Sequence, residues 1–267
     1  MYQKKKFASS TIEVNYAEGP DNGPPLLFIH GLGGRWSVWQ SIMDQFAENW
    51  HVYAIDLRGH GDSGRVPGGY GFADYSTEVV EFLQTVIAEP TFVIGHSLGA
   101  ITAVDTCAKV PEFVAAATLE DPPLYIKPEP YFQGSFDLRN KNLSVEGTAD
   151  ELRKVEPYSS EEQIKFNAVS LTKCDPEIWG RLISLVKGDP WNPDSVLSSA
   201  TSPILLLRGS PDLYSALSDE EAHQASKMLP NGRVTQWDDV GHGMHTPQPE
   251  RFVKQVTDFF AELIESN

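Results

Sequence analysis

Short apolar runs recur along the chain with room for a helix between several of them. They read LLFIH (26–30), VYAID (52–56), TFVIG (91–95), AAATLE (115–120), PILLLRG (203–209) and VTQW (234–237). Each has the length of a strand, and most are apolar on both faces. That is the pattern of parallel strands covered by helices on both sides, because a strand with one wet face alternates polar and apolar residues. Helical patterns lie between them. Residues 73–88 place Val79, Val80, Phe82, Leu83, Val86 and Ile87 near helical spacing, residues 100–109 run up to Pro111, and residues 249–265 place Phe252, Val253, Val256, Phe259, Phe260 and Leu263 likewise. Strand and helix in alternation imply a right-handed, mostly parallel α/β sheet. With 267 residues the chain can bury a real core.

One region breaks the rhythm. Residues 121–200 carry no comparable strand and are rich in Pro, Ser and Glu, with helix-like pieces at 160–171 and 175–185. Because the sheet resumes at Pro203, the region reads as a helical insertion, not an independent domain. The expected division is a core of residues 1–120 and 201–267 with a lid of residues 121–200. An insertion at the carboxyl edge of a parallel sheet sits where ligands bind.

Charge and composition exclude several functions. A formal charge of −16 disfavours nucleic acid and anionic membrane surfaces. No GxxxxGK[ST] loop or Lys/Arg cluster offers a polyanion site, so a neutral or weakly charged small molecule is the expected partner. No window approaches the ~18 apolar residues of a membrane span, so no integral membrane association is expected. The opening MYQKKKFASSTIEVNYAEG lacks the ~7–15-residue apolar stretch of a signal peptide, so the expected location is cytoplasmic. Cys107 and Cys174 read as core thiols. With no HExxH, no Cys/His cluster and no GxGxxG after a strand, no metal, nicotinamide or flavin cofactor is expected.

Three stretches carry chemistry. In VIGHSLGA (93–100) a serine stands between two glycines, after a strand and before a helix. A sharp turn that lifts a hydroxyl above a sheet needs neighbours without bulk, and Gly95 and Gly99 supply them; GHSLG is a G-x-S-x-G nucleophile elbow centred on Ser97. HGLGGRWSVW (30–39) follows a strand with glycines that let backbone N–H groups face a pocket. Leu32 and Leu98 are the expected oxyanion donors. DDVGHGMHTPQPERF sets His242 between two glycines after the last strand. A serine hydroxyl needs a base to take its proton, and imidazole titrates near the working pH.

Together these stretches resemble the α/β-hydrolase fold superfamily, in its lid-bearing branch of serine esterases and lipase-like enzymes. The likeness rests on His30-Gly31-Leu32-Gly33-Gly34, on DLRGHGDSG (56–64), on Gly95-His96-Ser97-Leu98-Gly99 and on Gly241-His242-Gly243, and it covers nearly the whole chain. It implies an eight-stranded, mostly parallel sheet flanked by helices, with a helical lid and a Ser97, Asp212, His242 triad. The acid in such proteins usually follows the strand after the lid, where RGSPDLYS supplies Asp212; Asp121, at the end of the strand before the lid, competes for the role. Asp219 reads as a helix-start residue. Asp56, Asp62 and Ser63 are given a structural role by the resemblance. His96 occupies the elbow's variable position, His245 contends with His242 as base, and His51, His60 and His223 are expected on the surface or in loops. Trp36, Leu124 and Tyr125 are the expected pocket residues, with Tyr131 and Phe132 as further aromatics of the early lid.

A serine at the elbow excludes the relatives that use Asp (haloalkane dehalogenases, epoxide hydrolases) or Cys (dienelactone hydrolases). The implied activity is hydrolysis of a carboxylic ester or lactone through an acyl-enzyme. C–C bond hydrolysis, perhydrolysis and a small-molecule receptor that keeps the triad are the alternatives. Substrate identity and oligomeric state are left open by the sequence.

Overall fold

The computed structural model describes residues 2–126, 130–185 and 191–265. Its centre is one sheet of eight strands, β1 (Gln3–Ala8), β2 (Glu13–Glu18), β3 (Pro25–Ile29), β4 (His51–Ile55), β5 (Thr91–His96), β6 (Val114–Glu120), β7 (Ile204–Arg208) and β8 (Gly232–Gln236). They lie in the order β1-β2-β4-β3-β5-β6-β7-β8. β2 runs antiparallel to both neighbours, and every other pair is parallel. The apolar runs become β3 to β8. β1 escapes that reading because QKKKFA is an exposed edge strand whose lysines face solvent; β2 is buried over residues 14–17, but EVNYAE mixes polar with apolar residues and so makes no apolar run.

The two faces of the sheet build two cores. Leu27 and Ile29 of β3 join Tyr53, Ile55 and Val93 beneath α2 (Phe72–Phe82) and α3 (Leu98–Lys109). Leu26 and Phe28 point the other way, with Val52, Ala54 and Ile94. Over that second face lie α1 (Gln40–Phe46) and α10 (Pro249–Glu265), which buries Phe252, Val256, Phe259 and Phe260 on one stripe. Period-two alternation places each pair, and each such fully buried side chain contributes about 1.5–3 kcal/mol. The helix expected over 73–88 ends at Phe82 and continues as a wider turn over Leu83–Ile87. Cys107 and Cys174 are buried free thiols, and burial pushes both up to about 12.

Between β6 and β7 the chain forms α4 (Pro130–Asn140), α5 (Val145–Val155), α6 (Glu161–Lys173), α7 (Pro176–Leu185) and α8 (Pro193–Ser199). Side chains of Ser144, Ser160 and Asn192 cap α5, α6 and α8 by accepting the N–H three residues on. α5 and α6 share a small core of Ala149, Leu152, Ile164 and Ala168. α8 returns to the main body, where it packs against α3 and α9 (Asp219–Met228). Residues 127–129 and 186–190 of the expected insertion lie outside the described residues. Among the described residues no helix is long and apolar enough to cross a membrane.

Candidate active site

Ser97 is held at φ 53°, ψ −117° between β5 and α3, in a region that non-glycine residues rarely occupy. A conformation of this kind costs on the order of 1–3 kcal/mol and persists only where its surroundings impose it. They do so by close backbone approach. A Cβ on Gly95 would lie 2.3 Å from the Gly99 carbonyl oxygen, and one on Gly99 would lie 2.1 Å from that of Ile29. The Ser97 N–H donates to the Glu120 carbonyl (2.9 Å). Its Oγ makes no hydrogen bond among the described residues and opens onto a cavity that His242 also lines.

The residue on His242 is Asp121. His242 Nδ1–H donates to Asp121 Oδ2 at 2.7 Å, which leaves the Nε2 lone pair able to accept a proton. The carboxylate is fully buried and accepts three further bonds: from Gly209 N–H (3.2 Å), Ser215 Oγ–H (2.6 Å) and Ala216 N–H (2.7 Å). Asp212, the expected acid, is corrected by this geometry. It sits exposed in a single turn over Pro211–Leu213 and makes no hydrogen bond to His242. The β7 loop that carries it instead wraps its N–H groups and Ser215 around Asp121. A buried carboxylate needs convergent donors, and they converge on the end of β6. Asp219 begins α9 behind the Ser218 cap, as its sequence position suggests.

The loop after β3 is braced by two buried histidines, its own His30 and His60 from the loop after β4. His30 Nδ1–H donates to the Gly31 carbonyl (2.7 Å), and its Nε2 accepts Leu57 N–H (3.0 Å). His60 Nε2 accepts Gly33 N–H at 3.1 Å. Burial holds these rings down to about 4 and about 3, in the form that can accept a hydrogen bond. His60 does lie in a loop, as expected, but it is a fully buried strut there and not a surface residue, with its ring 5.0 Å from that of His30. Asp56 completes the brace by accepting Trp36 N–H (2.6 Å), Asp62 N–H (3.0 Å) and Asn15 Nδ2 (2.8 Å). The N–H groups of Leu32 and Leu98 donate to no protein acceptor among the described residues, and both residues line the cavity.

The cavity has a volume of about 910 Å³. Its wall is mostly apolar, with Phe72, Ile101 and Leu217 from the core and Phe166, Leu171 and Leu182 from the insertion. Two carboxylates line it, Glu156 and Glu221, and no Lys or Arg does so among the described residues. Arg35 turns into the wall instead, donating to Ser170 Oγ (3.1 Å) with its guanidinium 4.6 Å from the centre of the Phe166 ring. Of the expected pocket residues, Tyr125 lines the cavity and its hydroxyl donates to Asp194 (2.8 Å). Trp36 and Leu124 do not. Trp36 packs on the other face of the sheet beside Tyr2, and Leu124 is fully buried in the core, so Val38, Pro123 and Ile126 take those positions. Neighbouring loop residues point in opposite directions, which spacing alone does not resolve. The side chains of Tyr131 and Phe132 lie outside the described residues.

His96 lies against His242, ring centres 4.8 Å apart, and its Nε2–H donates to the His242 carbonyl (3.1 Å). His245 does not face the cavity; it is buried on Glu120, with 2.8 Å between Nδ1 and Oε2. Among the described residues no group of three or more His, Cys, Asp or Glu is arranged to hold a metal ion.

Comparison with known proteins agrees with this architecture. The model of the alpha/beta hydrolase family matches residues 26–255. The 2-(acetamidomethylene)succinate hydrolase of Mesorhizobium japonicum is 32% identical over 108 residues, 40% of this chain and 39% of that protein. The match thus spans about two fifths of the curated relative. Among solved structures, the N-formylmaleamic acid deformylase of Pseudomonas putida superposes with a TM-score of 0.82 at 22% identity, covering 95% of this chain and all of the other. The naproxen esterase of Bacillus subtilis does so with 0.77 at 21% identity, covering 97% and 92%.

Proposed function

Since the chain belongs to the alpha/beta hydrolase family, we propose that it is a serine hydrolase that cleaves a carboxylic ester or lactone of a neutral, largely apolar small molecule. The observation that carries this reading is a single one. Ser97, an Asp121-bound His242 and two unengaged N–H groups all open on one mostly apolar cavity. In the proposed reaction Ser97 Oγ attacks the carbonyl carbon while His242 Nε2 takes its proton. Asp121 holds the imidazole in the needed tautomer and stabilises the imidazolium without taking the proton. The N–H groups of Leu32 and Leu98 receive the negative charge on the carbonyl oxygen, aided by the positive end of α3. His242 returns the proton to the leaving alkoxide, and water then cleaves the acyl-enzyme by the same route in reverse.

The insertion supplies one wall of the cavity, which supports its reading as a lid. The wall's charge bears on substrate. Carboxylates without a lining cation disfavour an anionic acyl group such as a dicarboxylate, so the succinate named for the M. japonicum relative is a poor guide here. A second reading is hydrolysis of another acyl bond. It is favoured by the structural likeness to a deformylase and by Gln163 and Asn167, which bring carboxamides to the apolar wall.

A panel of p-nitrophenyl esters from acetate to octanoate, with simple lactones, tests the proposal. The wild type should turn over, Ser97→Ala should lose about 10⁴-fold or more, and neutral acyl groups should exceed succinyl monoesters. Phosphonate labelling of Ser97 without ester or lactone turnover would move the assignment to another acyl or C–C bond. A stable single-turnover adduct would indicate a receptor.

A further inference from the structure

Two consecutive carboxylates close β6, and they serve the same distant loop. Asp121 holds His242. Glu120, one residue earlier, points to the opposite face of the sheet, and its Oε1 accepts the backbone N–H groups of Met244 (2.5 Å) and His245 (2.9 Å). The His245 imidazole completes the set, with Nδ1 2.8 Å from Oε2 and 3.0 Å from Oε1. Both side chains are almost fully buried, at 0% and 3% exposure.

Taking a carboxylate out of water is costly, and an apolar pair of similar size would fill the same space without that cost. What the carboxylate supplies is a fixed position. His242 lies between Gly241, where a Cβ would lie 2.0 Å from the Leu213 carbonyl oxygen, and Gly243, where a Cβ would meet nothing within 4 Å, so side-chain packing at Gly243 does not hold the segment after His242. The restraint comes from either side. His96 Nε2–H holds the His242 carbonyl, and Glu120 holds the two N–H groups that follow Gly243. The His245 ring is clamped in turn by Trp39 (4.3 Å between centres), His96 (5.4 Å) and Phe252 (6.0 Å). The backbone of Glu120 also reaches the nucleophile, since its carbonyl accepts the Ser97 N–H.

We propose that Glu120 and His245 form a second, buried carboxylate–imidazole pair that positions His242 relative to Ser97 and takes no proton in the reaction. The proposal rests on the hydrolase reading above for its catalytic meaning. The pair is a set of positioning residues, because neither side chain touches the cavity. The Glu120 carboxyl is held down to about 2 by His245 and His96 and by the N–H groups it accepts, which outweigh its burial, so it stays ionised through the working pH range.

The test compares Glu120→Gln, His245→Leu and His245→Asn with the wild type in three measurements: kcat and KM on the best ester, thermal midpoint, and the low-field proton resonance of the His242 Nδ1–H that bonds Asp121. Glu120→Gln and His245→Leu should lower kcat about 10- to 100-fold, the scale on which small misplacements of a reacting group act. KM should stay within about twofold. The low-field resonance should broaden or move upfield in both, and His245→Asn, which keeps a donor near the Nδ1 position, should recover part of kcat and of the resonance. Should the harsher variants not fold, Glu120→Asp carries the same comparison with a smaller drop. A lower midpoint with wild-type kcat and resonance would make the pair a plain core contact and overturn the proposal. If wild-type protein neither turns over esters nor is labelled at Ser97 by a phosphonate, the hydrolase reading fails instead, and the resonance alone decides whether the pair positions His242.

Discussion

The loops that follow β6 and β7 leave the same edge of the sheet, and each offers an aspartate beside prolines, yet they do opposite work. Asp121 after β6 is fully buried and accepts four hydrogen bonds, one of them from His242. Asp212 after β7 is exposed on a single helical turn. Its loop is a donor, supplying Gly209 N–H, Ser215 Oγ–H and Ala216 N–H to the other loop's acid. The carboxylate that reaches His242 is the one on which the hydrogen-bond donors converge. Chain position predicts the strand edge where it can sit, and the supply of N–H and O–H groups decides which edge wins.

Removing the charge at each site should separate the two aspartates most strongly. Asp121→Asn should lower kcat/KM about 10³- to 10⁴-fold, because an amide no longer fixes the tautomer with Nε2 free. Equal loss in Asp212→Asn would erase the distinction. Acid unfolding comes next in size. Burial holds His30, His60 and His96 at about 4, 3 and 4, so as pH falls below about 6.5 the unfolded chain takes up protons that the fold refuses. Stability from these rings is complete above pH 6.5 and declines as pH drops toward 3. The Glu120 contribution is complete above its ordinary 4.5 and is lost as pH falls toward 2. Urea midpoints measured from pH 8 to pH 4 should therefore begin to fall well before ordinary carboxylates titrate; a flat profile down to pH 5 would contradict the buried neutral histidines.

Smaller effects refine the donor side. Ser215→Ala removes one charge-assisted bond to Asp121 and should cost about 1.5–3 kcal/mol of stability. About tenfold in kcat should go with it as the acid loosens. Urea unfolding and steady-state kinetics on the same preparation check both numbers. Asp212→Asn should change kcat/KM by no more than about twofold, within the range of surface substitutions. A larger loss would give the exposed turn a role that its geometry lacks.

The parts of the site that rest on local geometry were legible in the sequence. Gly95 and Gly99 announce a turn that no larger residue could make, and the strand and helix around Ser97 follow from adjacent apolar patterns. His242 was legible for the same reason, being flanked by glycines after a strand. Its carboxylate partner was legible only as one of two candidates, with Asp121 second to Asp212, since the bond to Asp121 spans 121 residues and depends on how two loops meet. Glu120 and His245, 125 residues apart, were hidden likewise, and the spacing of His245 made it resemble a spare base. The Lys-rich β1 showed no apolar run because it lies at an exposed sheet edge. Trp36 and Leu124 have the composition of a pocket wall but face the core.

The alternation of strands and helices, the helical stretch after β6 and the glycine-flanked positions of Ser97 and His242 are written in neighbouring residues, whose sterics and burial act over one turn of chain. Tertiary structure decided which carboxylate orients the imidazole, which histidines are struts and which side chains line the cavity. Those outcomes depend on where hydrogen-bond donors and apolar surfaces from distant segments converge, and that convergence exists only once the sheet has brought its loops together.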